Sequence, residues 1–102
     1  TGDLKATIKA CETVDDCNSI IIKECIENNY SIIVIADHGN SDVMINSDGT
    51  PNTAHTTNPV PIIIIDQEVK RVSDGVLADV APTILHILEI EQPKLMTGKK
   101  LI

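Results

Sequence analysis

The sequence predicts an α/β fold from three patterns: a long stretch with apolar residues at helical spacing, two runs of β-branched residues, and a second helical stretch near the end. The two β-branched runs extend from Ser31 to Ala36 and from Val60 to Ile65. Their nearly continuous apolar character is typical of strands covered on both faces. Because two strands cannot form such a sheet alone, we expect further strands from elsewhere.

The first helix is predicted from Asp3 to about Glu27. Its apolar residues recur at the spacing of one helix face: Leu4, Ile8, Cys11, Val14, Ile21, Ile22, Cys25 and Ile26. The segment Thr13-Val14-Asp15-Asp16 interrupts this face, since Asp15 falls among the apolar residues. We interpret the interruption as a kink or a new N-cap, in preference to a functional carboxylate.

The loop between the two strands is rich in Ser, Asn, Asp and Gly, and its clearest turn is Asp48-Gly49-Thr50-Pro51. A brief extended piece is expected at Val43 to Ile45. After the second strand, Glu68 to Val72 is predicted to form a short exposed strand.

The last helix is predicted from Leu77 to Leu88. Asp79 is a suitable N-cap, and Pro82 then falls in the first turn, where its missing N–H costs little. Pro93 prevents the helix from continuing.

Size and composition predict one domain at most, with a thin aliphatic core. The chain has 102 residues, of which 42% are hydrophobic, but it contains no Phe or Trp, and Tyr30 is its single aromatic residue. A chain of this length buries roughly two-thirds or less of its unfolded surface.

The net charge argues against nucleic acid and membrane partners. It is −7 at pH 7, with one arginine, Arg71, and no run of basic residues, whereas binding to anionic polymers or lipids requires clustered Lys and Arg. The apolar runs are too short to span a bilayer, and no signal peptide is visible. We therefore expect a cytoplasmic protein.

The three cysteines, Cys11, Cys17 and Cys25, fall within the first helix. Their odd number indicates reduced thiols. A thiolate metal site is disfavoured because the Cys-x-x-Cys pairing is absent.

Potential metal ligands follow the first strand, at Asp37 and His38 in Asp37-His38-Gly39-Asn40. Open α/β sheets place their ligands at the carboxyl ends of strands. The loop to His55 is long enough to return beside this strand end, so His55 can complete the shell of the same ion or serve a neighbouring one. A carboxylate combined with imidazoles suits manganese, zinc, cobalt or iron better than calcium.

The same tetrapeptide could equally form an ordinary turn, since Asp, Gly and Asn all favour the backbone angles of turns. Spacing alone does not decide between a turn and a metal site. His86 is a different case, because it lies within the last helix without a carboxylate or histidine at helical spacing. We therefore expect His86 to lie on the surface, or to be a core histidine whose ring nitrogens are hydrogen-bonded, and not to bind a metal.

Four segments, taken in order, resemble the carboxyl-terminal end of the cofactor-independent (2,3-bisphosphoglycerate-independent) phosphoglycerate mutases, within the alkaline-phosphatase-like superfamily. They are Ile35-Ala36-Asp37-His38-Gly39-Asn40, Ala54-His55-Thr56-Thr57-Asn58-Pro59-Val60-Pro61, Leu77-Ala78-Asp79-Val80-Ala81-Pro82-Thr83-Ile84-Leu85 and Met96-Thr97-Gly98-Lys99-Lys100-Leu101-Ile102. The Asp-His-Gly element is shared across the superfamily, whereas the segment around His55 and the ending are more specific to the mutases. The resemblance covers essentially the whole chain.

The resemblance implies that residues 1–102 are the C-terminal portion of a metal-binding, phosphatase-like domain, a three-layer α/β/α structure with a mainly parallel sheet. It implies an isomerase of glycolysis and gluconeogenesis that interconverts 3-phosphoglycerate and 2-phosphoglycerate through a phosphoserine. Two divalent ions are implied, commonly Mn²⁺, with Zn²⁺, Co²⁺ or Mg²⁺ as alternatives, and no organic cofactor. Asp37 and His38 look like ligands of the ion that activates the serine, and His55 like a ligand of the second ion.

The family's serine nucleophile, two further ligands and its substrate-binding residues would precede Thr1. We therefore expect no catalytic residue and no substrate-binding residue in these 102 residues, and no activity from the chain alone. The intact enzyme is expected to be monomeric, whereas this chain can self-associate through open sheet edges. Two alternatives stay open: another phosphotransferase of the superfamily, such as a phosphopentomutase or phosphatase, and a non-catalytic metal-binding or purely structural α/β module.

Overall fold

The computed structural model describes residues 2–102, which form helices and a small sheet. The elements in chain order are α1 (Leu4–Glu27), β1 (Ile32–Ile35), β2 (Ile62–Ile65), a 3₁₀ turn (Leu77–Asp79) and α2 (Val80–Ile87). The predicted combination of helices with two β-branched strands is confirmed, and each strand is shorter than its apolar run. A three-layer arrangement stays a prediction.

Helix α1 is one continuous helix of 24 residues. It begins after Asp3, whose Oδ1 accepts a hydrogen bond from the backbone N–H of Ala6 at 3.1 Å. The kink or new N-cap expected at Thr13 to Asp16 is wrong. The hydroxyl of Thr13 donates to the carbonyl of Lys9 at 2.8 Å, so it is satisfied inside the helix, and Asp15 lies exposed to water.

The apolar stripe of α1 is open to solvent. None of the residues of the helix is buried, and Leu4, Ile8 and Ile21 retain 54%, 50% and 58% of their accessible surface. Because a helix of this kind is normally stabilised by packing its apolar face, α1 presents a surface suited to covering by other protein.

Strands β1 and β2 pair in antiparallel fashion, with Ile32 opposite Ile65 and Ile35 opposite Ile62. A mainly parallel sheet was expected, and this pair does not fit that expectation. Parallel neighbours need a crossover, usually a helix, whereas residues 36–61 form a loop that folds back through two isolated bridges, Gly39 with Thr56 and Ile45 with Pro51.

The strands are less buried than their sequence predicted. Ile35 retains 38% and Ile63 53% of its accessible surface, and the other strand residues are half-buried. Burial on both faces is therefore wrong for the part of the chain that the structure describes. The open flanks agree with the expectation that other strands or helices cover this pair.

Two minor predicted strands are corrected. The extended piece at Val43 to Ile45 survives only as the bridge between Ile45 and Pro51. The segment from Glu68 to Val72 is not a strand. Instead, Oδ1 of Asp66 accepts from the backbone N–H groups of Glu68 (2.8 Å) and Val69 (3.2 Å), so the chain turns directly after β2.

The small core lies where the last seven residues dock against the start of α2. Pro82 and Thr83 are fully buried, and Leu101 is 7% exposed. The Thr83 hydroxyl donates to the Asp79 carbonyl at 2.7 Å and accepts from the backbone N–H of Leu101 at 3.0 Å. A Cβ on Gly98 would collide with the carbonyl oxygen of Ala78, so only glycine permits this close approach.

Asp79 occupies the N-cap position of α2, and Pro82 lies in the first turn, as predicted. The side chain does not cap α2, however. Its Oδ2 accepts from the backbone N–H of Val76 at 2.9 Å, and its Oδ1 accepts from that of Lys99 at 2.7 Å. Asp79 therefore ties the C-terminal segment to the turn that precedes α2.

The docking of this segment is expected to weaken in acid. The backbone N–H of Lys99, and then that of Val76, holds the pKa of Asp79 below its ordinary value. A lowered folded-state pKa gives stability that is complete above the unfolded pKa of about 4 and is lost as the pH falls through the folded value. Amide protection factors of Lys99 should therefore begin to fall at about pH 5 and continue to fall as the pH drops through the folded value. An Asp79→Asn variant should show no such titration, and constant protection in the parent chain would contradict this role.

Candidate metal centre

The turn that follows β1 carries the first two predicted ligands. β1 ends at Ile35, and the chain bends through Asp37 and His38 before Gly39 pairs with Thr56. The backbone N–H of Thr56 donates to the carbonyl of Gly39 at 2.8 Å. This single antiparallel contact brings the segment of His55 back to the strand end, as the loop length suggested.

The two imidazole rings meet across this contact. The ring centroids of His38 and His55 are 3.8 Å apart, with an angle of 39° between the ring planes. Nε2 of His38 is 3.5 Å from Oδ1 of Asp37. The structure thus brings the three predicted ligands to one end of the β1–β2 pair, although His55 lies in a different segment of the chain.

Hydrogen bonding at Nδ1 orients both rings. Nδ1 of His38 is 3.1 Å from the carbonyl oxygen of Gly39. As a carbonyl only accepts, this contact places a proton on Nδ1, so that in the neutral ring Nε2 of His38 carries the lone pair. Nδ1 of His55 is 3.3 Å from Nδ2 of Asn40; because an amide nitrogen donates, this contact makes Nδ1 of His55 the acceptor, and in the neutral ring the proton is then on Nε2. The contact of His38 is the usual support of a metal-binding histidine, which donates its second ring N–H to an oxygen acceptor.

The site is open to water on one side. The side chain of Asp37 is 86% exposed and that of His38 is 39% exposed. Within residues 2–102, no group of three or more His, Cys, Asp or Glu side chains is arranged closely enough to hold an ion. Because catalytic sites commonly use three protein ligands around each ion, Asp37, His38 and His55 would need additional ligands.

A fourth side chain, Asp42, links the two segments. Its Oδ2 accepts from Oγ1 of Thr56 at 2.8 Å and from Nδ2 of Asn58 at 2.7 Å. The Asn58 amide, and then the Thr56 hydroxyl, holds the pKa of Asp42 below its usual range, so the carboxylate stays ionised. Sequence reasoning missed Asp42 because its partners become evident only from the pairing of Gly39 with Thr56.

The remaining candidates lie apart from this centre. His86 is exposed, and its Nε2 is 3.1 Å from Nζ of Lys100, which fits the expected surface histidine. Cys11, Cys17 and Cys25 are free thiols, as their odd number suggested. None of the helices in residues 2–102 combines the length and apolarity needed to cross a bilayer.

Comparison with known families decides where this arrangement belongs. Residues 1–92 match the model of the Metalloenzyme superfamily. The chain belongs to the Metalloenzyme superfamily. Membership indicates dependence on a divalent metal.

Relatives within this superfamily are similar along the whole chain. Proteins from Flavobacterium johnsoniae and Flavobacterium psychrophilum are each 56% identical over 102 residues, and one from Moorella thermoacetica is 50% identical over 104 aligned residues. All three are named 2,3-bisphosphoglycerate-independent phosphoglycerate mutase. The alignments cover all of this chain and 20% of each relative, so the chain spans about one fifth of their length.

The donor set of this Metalloenzyme-superfamily chain fits a divalent ion. One carboxylate and two imidazoles are available, and the carbonyl of Gly39 orients the ring of His38. Oxygen and nitrogen donors of this kind suit Mn²⁺, Zn²⁺ and Co²⁺. The open side of the site leaves room for the further ligands that a complete centre requires.

Proposed function

We propose that this chain is the C-terminal portion, residues 1–102, of the metal-binding domain of a cofactor-independent phosphoglycerate mutase. The observation that carries the proposal is the juxtaposition of His38 and His55, with rings 3.8 Å apart, in a chain 56% identical over its whole length to proteins of that name. The reaction is the interconversion of 3-phosphoglycerate and 2-phosphoglycerate through a phosphoserine.

The proposed roles divide the ligands between two ions, with Mn²⁺ as the favoured metal. Asp37 and His38 bind the ion nearest the serine nucleophile, and His55 binds the other. When bound, the ions lower the pKa of the serine hydroxyl and neutralise the charge of the phosphoryl group. The close approach of the two rings, with centroids 3.8 Å apart, supports one shared centre to which both histidines would contribute.

The residues of this chain act by holding their donor atoms in place. The carbonyl of Gly39 accepts from Nδ1 of His38 and orients the ring, so that Nε2 is the nitrogen left to bind an ion. The exposed carboxylate of Asp37 is free to turn its oxygens to an ion. With a net charge of −7, the chain repels a phosphoglycerate, so attraction of the substrate depends on the ions and on basic residues elsewhere in the enzyme.

A chimera tests the proposal. The matching fifth of the Flavobacterium johnsoniae relative would be replaced by residues 1–102, and the chimera is expected to interconvert the two phosphoglycerates when Mn²⁺ is present. The 56% identity favours folding of the chimera, and the purified chain alone should show no turnover. NMR with ¹³C-labelled 3-phosphoglycerate would measure the reaction.

Two outcomes would count against the proposal. A folded chimera that binds Mn²⁺ but turns over neither phosphoglycerate would show that this segment does not support mutase chemistry. Turnover of other phosphate esters, without isomerisation, would favour another phosphotransferase of the superfamily.

A further inference from the structure

Asp42 bonds to the segment of His55 while lying in the segment of His38. Its Oδ2 receives two hydrogen bonds, from the Thr56 hydroxyl (2.8 Å) and the Asn58 amide (2.7 Å). Thr56 directly follows His55 in the chain. The carboxylate therefore links the two histidine-bearing segments through Thr56 and Asn58.

Gly39 lies directly against this carboxylate. A Cβ on Gly39 would come within 2.8 Å of Oδ1 and 2.9 Å of Oδ2 of Asp42, and would collide with the Thr56 hydroxyl. The backbone beside His38 is thus in close contact with Asp42 and Thr56. Only a residue without a side chain allows the three groups to meet.

The backbone pairing needs this support. Gly39 and Thr56 form an isolated bridge, outside the β1–β2 ladder. A short pairing in an exposed loop opens easily. Two hydrogen bonds to one ionised oxygen are stronger than bonds between neutral groups, so Asp42 supplies a strong link between the segments, beside the contact of Asn40 with Nδ1 of His55 at 3.3 Å.

We propose that Asp42 is a positioning residue for metal binding, which holds His55 against His38 through Thr56 and Asn58 so that both imidazoles are placed before the ions arrive. This inference rests on the proposed function for its metal, but the positioning is a property of the chain itself. Loss of a supporting contact of this kind typically lowers metal affinity by about 10- to 100-fold.

The positioning is measured first without metal. In the 102-residue chain, rings whose centroids are 3.8 Å apart should give a strong nuclear Overhauser effect (NOE) between their protons. Asp42→Ala is expected to remove it. Asp42→Asn keeps a carbonyl oxygen that can accept hydrogen bonds from both Thr56 and Asn58. This variant should therefore show the ring-to-ring NOE.

Asp48→Ala is the matched control. Asp48 lies in the same loop and carries the same charge, but its Oδ1 accepts only from the backbone and hydroxyl of Thr50. This variant should retain the ring-to-ring NOE, which separates loss of the Asp42 contacts from loss of one negative charge.

Metal binding is measured second, by titrating Mn²⁺ and following paramagnetic broadening of the histidine resonances. His38 and His55 should broaden before His86, which serves as an internal reference. In Asp42→Ala, the Mn²⁺ concentration that gives half-maximal broadening of His55 should rise by about 10-fold or more. The corresponding concentration for His38 should change less. Asp42→Asn should stay within about fivefold of the parent chain.

The outcomes separate the two proposals. An intact ring-to-ring NOE in Asp42→Ala, with an unchanged midpoint for His55, would overturn the positioning role. Equal broadening of all three histidines in the parent chain would instead count against the metal centre. If Asp42→Ala fails to fold, Thr56→Val decides the question, since it removes one donor and keeps the charge; an unchanged NOE there would also overturn the inference.

Discussion

Replacing both His38 and His55 by alanine in the chimera is expected to lower Mn²⁺-dependent mutase turnover by about 1,000-fold or more. A bound ion contributes several kcal/mol of charge stabilisation in the transition state of phosphoryl transfer, and each 1.4 kcal/mol corresponds to a factor of ten in rate. Because the rings belong to different ions in the proposed centre, the double substitution weakens both. Steady-state kinetics at saturating substrate and calorimetric Mn²⁺ titration would measure the two effects.

The matched control is His86→Ala. His86 is an exposed histidine whose ring contacts Lys100, so its loss should leave turnover and Mn²⁺ binding unchanged. If the double variant and its parent gave identical calorimetric isotherms, Asp37-His38-Gly39-Asn40 would be a turn and not a metal site. Equal losses in the double variant and in His86→Ala would indicate a general effect on folding.

Local sequence patterns predicted the elements that depend on nearby residues. The helix that begins after Asp3 follows from the spacing of its apolar residues, and the N-cap position of Asp79 follows from its place just before the apolar residues of α2. The strand Ile62–Ile65 follows from its continuous β-branched run. Such features are encoded within a few residues, so a single sequence is sufficient to identify them.

Features that depend on distant partners were harder to predict. The apolar face of α1 and the flanks of β1 and β2 predicted burial, but Ile8 and Ile63 are about half exposed, at 50% and 53%. An apolar pattern predicts that a face is buried in the complete protein, but it does not identify the element that packs against that face. The antiparallel direction of the strands likewise depends on how residues 36–61 return, which spacing does not determine.

The candidate site shows the same division. Asp37 and His38 were recognisable because they follow a strand, and His55 because its segment resembles a known family. Asp42 was overlooked, since its role depends on the register that sets Gly39 opposite Thr56. A carboxylate that acts through another residue carries no signature of its own in the sequence.

Thr83→Val is expected to destabilise the C-terminal core by about 1–3 kcal/mol. Valine has nearly the same shape as threonine, but it cannot accept the hydrogen bond that Leu101 donates at 3.0 Å. Because Thr83 is fully buried and Leu101 is 7% exposed, water cannot readily replace the lost hydroxyl. The cost is that of a buried, unsatisfied backbone N–H.

Thermal unfolding followed by circular dichroism would measure this change, at about 4–8 °C for each kcal/mol in a domain of this size. Thr83→Ser is the control, since it keeps the hydroxyl and loses only a methyl group, at a cost of roughly 1 kcal/mol. The valine variant should therefore be the less stable of the two, with faster amide exchange at Leu101. If serine were the more damaging change, packing of the methyl group, and not the bond to Leu101, would hold the last residues against α2.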